Sequence, residues 1–367
     1  MCVEDIEAAA AQEPGGGASD DSVIALPEVA PPARKYRFEF FGNAKEYFRI
    51  WIVNLALSIL TLGVFSAWAK VRTQRYFYSN THLAGVPFEY LAQPLPILKG
   101  RAVAFTLFGS YALAGQFSLR LQVALLALIG LLAPLLIVRG LMFHARYSSW
   151  RGLTFRFAPR YGQAYRWYLF AYLLIPLSLG LAFPYIKFRQ KKFVVEQHRF
   201  GGREFRFLAG SGDFYPPYVI GMGLVIGWLV LVGVAFGFLV HGHGIPAVWS
   251  QYVLIGFTYF GYFLAWVYIY SRITNLTYNE AELDGYRLRS TLGAFDLAKL
   301  YLGNTVAILL TLGMAIPWAA IRMARYRAAH VELVAPGDLD SFTPELQREE
   351  SAIGAEMDNL FDLDIGL

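Results

Sequence analysis

Seven apolar stretches constrain this chain more than any other feature of its sequence. They run over residues 47–68, 102–117, 121–138, 166–186, 217–240, 250–270 and 299–321. Most approach the roughly 20 residues that a helix needs to cross a bilayer. With 56% hydrophobic and 16% charged residues, the chain has more apolar surface than water-soluble cores would hide. The sequence therefore predicts a polytopic membrane protein.

Charge divides the chain into three parts. Residues 1–33 carry seven acidic residues and no Lys or Arg, and residues 336–367 carry nine acidic residues and one base. Residues 34–335 hold 31 Lys and Arg against 11 Asp and Glu. We expect a disordered acidic N-terminal tail, a membrane domain and an acidic C-terminal tail with a short amphipathic helix around Phe342–Phe361. The tails either stay in solvent or fold back on the basic core.

An internal repeat organises the membrane domain. Residues 37–72 align without gaps with residues 154–189 and 287–322. The shared positions include a Leu-Gly pair and a later arginine. They are Leu62, Gly63 and Arg72, then Leu179, Gly180 and Arg189, then Leu312, Gly313 and Arg322. Three copies in one register predict the same local structure three times.

The repeats extend over about 37–92, 154–209 and 287–330, with helix pairs over 102–138 and 217–270 between them. The ends of the repeats alternate aromatic and polar residues around a glycine turn, which is typical of a short strand pair. We therefore predict an all-α polytopic membrane protein with short β-hairpins at the cytoplasmic face and a threefold repeat of a Leu-Gly broken helix.

Positive residues decide the predicted topology, because they favour the cytoplasmic side. If all seven stretches span, each side receives 15 Lys and Arg, which gives no orientation. If the three Leu-Gly segments enter and leave on one face, the outer loops hold one base against 29 inside. We therefore expect three re-entrant segments, four spans and both tails in the cytoplasm. Ordinary kinked spans are the alternative.

Two blocks of the first repeat are similar to a known family. They are Phe41–Asn54, with Gly42, Asn43 and Trp51, and Leu60–Arg72, followed by Arg75–Thr81 and Ile97–Arg101. The chain resembles the YjgN family of bacterial inner-membrane proteins (DUF898) densely over 36–101 and, through the repeats, to about residue 330. The middle repeat departs from the pattern, with Ala171 for the asparagine and Lys192 for the arginine. The resemblance implies a bacterial inner-membrane location and no known activity.

Two asparagines are candidate binding residues. Asn54 and Asn304 occupy matching positions in the first and third repeats. A buried asparagine needs hydrogen-bond partners. These residues either bond between helices or coordinate a solute near the backbone breaks at Gly63, Gly180 and Gly313.

Bases and aromatic residues follow each Leu-Gly pair. This candidate set is Trp68, Lys70, Arg72, Arg75, Lys187, Arg189, Arg322 and Arg325. Such a pattern indicates recognition of anionic lipid headgroups or an anionic solute, or else topology anchors at the interface. An aromatic stripe from Tyr252 to Tyr270 either lines a polar path or packs against other helices.

The sequence favours a transporter or channel-like protein for a small solute, with an anion as one candidate, and gives a lipid-binding membrane scaffold as the alternative. An enzyme is the least favoured of the three functions. His241 and His243 lack a third ligand, so we expect no metal. We expect no enzyme activity, no cofactor and no nucleic-acid partner, because no catalytic motif has a supporting context. The expected partner is the bilayer, with its anionic lipids. The sequence leaves the oligomeric state open.

Overall fold

Eleven short strands form one sheet at the centre of the fold. The computed structural model describes residues 34–243, 247–337 and 339, without the side chains of 239–243 and 247–250. The predicted tail over residues 1–33, the predicted helix around Phe342–Phe361 and the side chains of His241 and His243 lie outside this description.

The strands are β1 (Arg34–Phe40), β2 (Thr81–Leu83), β3 (Val86–Tyr90), β4 (Ser148–Trp150), β5 (Leu153–Phe157), β6 (His198–Phe200), β7 (Arg203–Glu204), β8 (Arg206–Phe207), β9 (Ala281–Leu283), β10 (Tyr286–Ser290) and β11 (Val331–Ala335). The sheet order is β7-β6-β5-β4-β3-β2-β1-β11-β10-β9-β8. The edge strands β7 and β8 are consecutive in the chain, separated by Phe205. β7 pairs with β6 and β8 with β9, so the sheet closes into a near-complete ring.

This ring overturns the predicted fold class, which was all-α with short hairpins. The strands predicted as separate pairs are joined edge to edge, from one end of the domain to the other. Strands β1 and β11 pair from Arg34 with Ala335 to Arg37 with Glu332. Alternation along the sequence indicates a local strand pair, but it carries no information on which distant strands become neighbours.

Tight turns join the strands at the end of the ring opposite the helices. Four of them have positive φ at both central residues, at Ala84–Gly85, Arg151–Gly152, Gly201–Gly202 and Asp284–Gly285. Two such residues are the requirement of a type I′ turn, whose twist matches that of paired strands. These turns fix the register of β2 with β3, β4 with β5, β6 with β7, and β9 with β10.

Five helical hairpins are inserted between neighbouring strands. Hairpin 1 contains α1 (Ala44–Leu60) and α2 (Ser66–Ser79), and hairpin 2 contains α3 (Pro94–Phe117) and α4 (Leu119–Arg146). Hairpin 3 has a broken first arm, with α5 (Tyr161–Tyr168), a 3₁₀ turn (Phe170–Leu173) and α6 (Leu174–Leu177), and returns through α7 (Ala182–Gln197). Hairpin 4 contains α8 (Tyr215–His243) and α9 (Ala247–Asn279), and hairpin 5 contains α10 (Ala294–Leu310) and α11 (Ile316–Ala329).

Each hairpin leaves the sheet from one strand and returns to the neighbouring strand. The flanking strand residues are therefore paired: Phe40 with Thr81, Tyr90 with Ser148, Phe157 with His198, Phe207 with Ala281, and Ser290 with Val331. Because the strands are antiparallel, all five hairpins leave from the same end of the ring. Consecutive hairpins contact each other, and α11 contacts α1, so the helices form a crown.

Three helical segments among the described residues are long and apolar enough to cross a membrane. They are Leu119–Arg146, Gly212–Phe238 and Gln251–Asn279. This corrects the expectation of seven apolar helices, of which four span. The stretch 47–68, for example, contains the end of α1, a turn and the start of α2. Helix α3 is not among the three candidates, and Lys99 and Arg101 lie in its first turns.

The interior of the ring is filled with apolar side chains. Leu83 of β2, Trp150 of β4 and Phe200 of β6 share one cluster with Leu283 of β9. Strands so far apart in the sheet order meet only because the sheet curves round on itself. Leu339, which is 1% exposed, lies in the same cluster. The outward face alternates exposed charges and includes the ion pair between Arg287 and Glu282 at 2.6 Å.

Candidate functional site

The Leu-Gly pairs form the same turn in hairpins 1, 3 and 5. In hairpin 1, Leu62 has a φ of 49° and Gly63 a φ of 91°, and the Gly63 N–H donates to the Ser58 carbonyl at 2.7 Å. The same geometry recurs at Leu179–Gly180 and Leu312–Gly313. This is a Schellman ending, in which the glycine accepts a backbone conformation that other residues resist.

The tips of these turns are apolar and point away from the protein. Leu62 is 95% exposed, and Leu179 and Leu312 are each 94% exposed. In water a leucine in this position would leave its whole side chain solvated and would also hold a strained, left-handed backbone. The tips of hairpins 1, 3 and 5 are therefore suited to hydrocarbon.

The two predicted asparagines do not meet each other; each bonds within its own hairpin. Arg72 Nη1 donates to Asn54 Oδ1 at 3.3 Å, and Arg322 Nη1 donates to Asn304 Oδ1 at 3.3 Å. Asn304 Nδ2 also donates to the Ala319 carbonyl at 3.4 Å. Asn54 Nδ2 is buried without a hydrogen-bond partner. These bonds tie the two helices of hairpins 1 and 5 together.

Arg75 and Arg325 connect neighbouring hairpins. Arg75 Nη2 donates to the Ala92 carbonyl, just before hairpin 2, at 3.3 Å. Arg325 Nη2 donates to the Gly42 carbonyl, just before hairpin 1, at 3.3 Å. The second bond crosses the β1–β11 junction. Both guanidinium groups therefore bond main-chain carbonyls within the crown.

Hairpin 3 uses different contacts at the same positions. Its first helix breaks after Tyr168, and Gln190 Nε2 donates to the Trp167 carbonyl at 2.8 Å. The Arg189 guanidinium lies 4.3 Å from the centre of the Trp167 ring. Lys192 pairs with Glu196 at 3.5 Å instead of reaching the next hairpin.

The remaining predicted residues are spread over separate hairpins. Trp68 is half-buried and stacks on Phe65, with ring centres 6.2 Å apart. Lys70 lies within electrostatic reach of His144 on α4. Hairpin 3 is separated from hairpins 1 and 5 by the long hairpins. The predicted set therefore does not converge on one ligand site, and most of its polar groups already have protein partners.

Two adjoining cavities lie where the crown of helices meets the ring, at a place that the sequence analysis did not identify. The larger has a volume of about 590 Å³ and the smaller about 460 Å³. They share Phe155, His198 and Tyr278 as lining residues. Phe38 and Phe88 form the floor of the larger cavity, on the inner face of the sheet.

Hydroxyl groups and an imidazole face the cavities. Ser148 Oγ donates to the His144 carbonyl at 2.8 Å, which leaves the Tyr78 hydroxyl to donate to Ser148 Oγ at 3.0 Å. His198 Nδ1 lies 2.6 Å from the Val194 carbonyl, so this nitrogen carries the proton of the neutral ring. Burial lowers the pKa of His198, and the bond to Val194 opposes that shift only in part.

One basic side chain lines the smaller cavity, and a second bonds one of its lining residues. Lys191 lines it directly, and Arg327 Nη2 donates at 3.1 Å to the hydroxyl of Tyr270, another lining residue. Desolvation, and secondarily the Lys187 ammonium, lowers the pKa of the Lys191 ammonium. A bound anion would favour the charged form and oppose both effects. None of the described residues that line either cavity is an Asp or Glu.

Most of the lining comes from the last turns of α2, α4, α7 and α9 and from the inner faces of the first strand residues that follow them. Phe77, His144, Val194 and Tyr278 are examples. Each of these turns is unremarkable alone, and only ring closure brings them together. One signal was available: Tyr270, the last residue of the aromatic stripe, lines the smaller cavity, whereas Tyr252 and Tyr259 are exposed.

The fold combines a charged, water-compatible sheet with apolar helices that leave from one end of it, which defines a membrane-embedded protein. The chain belongs to the family described as bacterial protein of unknown function (DUF898), whose model matches residues 35–360. The predicted resemblance is thus confirmed, and it extends into the acidic C-terminal tail that we had placed outside it.

Two curated relatives of this chain are inner membrane proteins. The chain is 26% identical to the inner membrane protein YjgN of Salmonella typhimurium, over 86% of this chain and 91% of that protein. It is 30% identical to the inner membrane protein YjgN of Escherichia coli K12, over 40% of this chain and 36% of that protein. No solved structure matches significantly. The chain is an integral inner-membrane protein, as the sequence analysis expected.

Proposed function

We propose that this inner-membrane protein binds a small anionic solute in the two cavities between the ring and the helices. One observation carries the proposal: the described lining residues offer bases, hydroxyls and aromatic rings, and none offers a carboxylate. Ligand sites are typically concave and mostly apolar, with a few convergent polar groups.

The groups of the smaller cavity suit an anion with an apolar part. The Lys191 ammonium supplies charge, while Thr274 and Tyr278 supply hydroxyl donors. Charge-assisted bonds to such donors are stronger than neutral ones, and more so away from water. Phe155 and Leu288 supply apolar contact for the rest of the solute.

Transport, the role first predicted from the sequence, requires a further step. The cluster of Trp150, Phe200 and Leu283 fills the ring between the cavities and the tight turns. A solute leaving through the ring would have to displace this cluster. Binding therefore comes first in our proposal, and passage depends on the ring opening.

We further propose that the ring lies at the cytoplasmic face, with hairpins 1, 3 and 5 re-entering the membrane from that side. The apolar tips and the exposed charges of the strands support this placement. Arg34 and Ala335 are strand partners, so both tails leave from one place on the sheet and would be cytoplasmic together. In hairpin 2, crossing by α4 would place Ser118, the residue before that helix, on the far side of the membrane.

The test uses the charge preference of a cysteine placed in the cavity. In a Cys2→Ser background, Thr274→Cys is treated with a negatively charged and a positively charged methanethiosulfonate, and each rate is divided by that of a free thiol. We expect the anionic reagent to be favoured by about tenfold, and Lys191→Gln to reduce that preference. A cysteine at exposed Ser79 is the control. Preference for the cationic reagent would contradict the proposal.

A further inference from the structure

A further cavity lies on the outer, membrane-facing side of the crown, between hairpins 3 and 4. It is a groove of about 400 Å³. One wall is the Leu-Gly turn of hairpin 3, with Gly180, Phe183 and Pro184, and the other is α8, with Val219 and Met222. Met222 is 58% exposed and Val219 is 60% exposed, so the groove opens to the side where lipid lies in our placement.

A single cation stands beside the end of this groove that is nearer the ring. Lys187 follows Pro184 along α7, and its Nζ lies 5.2 Å from the centre of the Phe183 ring. It donates to the Tyr172 hydroxyl at 3.4 Å and to Gln190 Oε1 at 3.2 Å. Among the residues that the structure describes, it has no carboxylate partner.

The broken helix of hairpin 3 creates this arrangement. The 3₁₀ turn carries Tyr172, and the break places its hydroxyl within reach of both Lys187 and Gln190. At the aligned positions of hairpins 1 and 5, Tyr172 is replaced by Leu55 and Thr305. Neither of those hairpins therefore offers the same group of a lysine, a phenol and an apolar groove.

We propose that the groove holds one acyl chain of an anionic phospholipid, whose phosphate accepts a hydrogen bond from the Lys187 ammonium. The apolar walls suit a hydrocarbon chain, and a lysine without a carboxylate partner among the described residues, at the end nearer the ring, suits a negatively charged headgroup. The site is separate from the cavities of the proposed function, so it stands if no anion binds in them; it rests only on the proposed placement of hairpin 3 in the membrane.

Native mass spectrometry of the full-length protein tests the proposal, with phosphatidylglycerol and phosphatidylethanolamine as probes. We expect one retained phosphatidylglycerol adduct and about tenfold lower occupancy in Lys187→Gln, because a charge-assisted bond is lost. Lys299→Gln is the matched control, since Lys299 also lies over a phenyl ring, that of Phe295 at 4.1 Å, and does not line this groove.

A second variant separates the contribution of the lipid's acyl chain from that of its headgroup. Met222→Trp fills the groove while leaving Lys187 intact, and we expect it to lower the occupancy of both lipids. Glycerol phosphate, a headgroup without chains, should give no adduct at the same concentration. The proposal is overturned if Lys299→Gln matches Lys187→Gln, if Met222→Trp leaves the adduct unchanged, or if glycerol phosphate binds as well as the lipid.

Discussion

Hairpins 1 and 5 differ from hairpin 3 in how the helix before the shared turn is held. Helices α1 and α10 each run unbroken for 17 residues, whereas the corresponding segment of hairpin 3 is split into α5, a 3₁₀ turn and α6. In the unbroken helices Asn54 and Asn304 accept a bond from an arginine. Hairpin 3 has Ala171 at that position, and Gln190 instead bonds the Trp167 carbonyl at the break.

The difference shows that one turn can be supported by two kinds of helix packing. The turn depends on its own backbone bonds, such as Gly180 N–H to the Ile175 carbonyl at 2.8 Å. The preceding helix depends on side chains from the helix that returns. The break in that helix of hairpin 3 places the Tyr172 hydroxyl where it accepts hydrogen bonds from Lys187 and Gln190.

The largest expected effect tests whether the turn is shared. Gly63→Val, Gly180→Val and Gly313→Val should each destabilise the protein by about 3 kcal/mol, because a β-branched residue resists a φ near 90°. Thermal unfolding in detergent measures this, with Gly109→Val, inside α3 with open space around it, as control. Unequal losses among the three would mean that the hairpins support the turn differently.

The next effect is specific to hairpin 3. Gln190→Met keeps the volume but removes the donor to the Trp167 carbonyl, and should cost about 2 kcal/mol in unfolding free energy. The same change at Gln74 on α2, which has no hydrogen bond among the described side chains, should cost little. If both variants melt alike, Gln190 does not hold the broken helix.

Asn304→Ala should lower the free energy of unfolding by about 1 kcal/mol, and Asn54→Ala should lower it by less, because the Asn304 side chain makes two hydrogen bonds and that of Asn54 makes one. A double-mutant cycle with Arg322→Met measures the coupling. Ala171→Asn should not stabilise hairpin 3, since its helix is broken at that place. A stabilising Ala171→Asn would show that the break follows from the missing asparagine alone.

The smallest effect concerns pH. The first residue of the strand that follows hairpin 3 is a histidine, His198, whereas the corresponding residues after hairpins 1 and 5 are Thr81 and Val331. Its pKa is lowered in the folded protein, so below about pH 6.5 the unfolded chain takes up a proton first and stability falls. Melting temperatures between pH 7 and pH 5 should drop less in His198→Gln than in the unchanged protein.

Local features were predictable from the sequence, and long-range pairing was not. The Leu-Gly pairs, the tight turns and the family all followed from neighbouring residues. The arginines after the turns were identified, but Arg75 and Arg325 bond carbonyl groups of the next hairpin, and no side-chain pattern marks a carbonyl. The cavities depend on ring closure, so nothing in the sequence indicated that His198 and Tyr278 would line the same cavity.

The account depends most on all five hairpins leaving one face of the ring, with the Leu-Gly tips ending inside the bilayer. Single cysteines at Ser79, Ser118 and Leu62, in a Cys2→Ser background, test this with a membrane-impermeant maleimide. We expect Ser79→Cys to react only in inverted vesicles and Ser118→Cys only in intact cells. Leu62→Cys should react from neither side and only with a permeant maleimide. Labelling of Leu62→Cys from the same side as Ser118→Cys would contradict the account, because hairpin 1 would then cross the membrane.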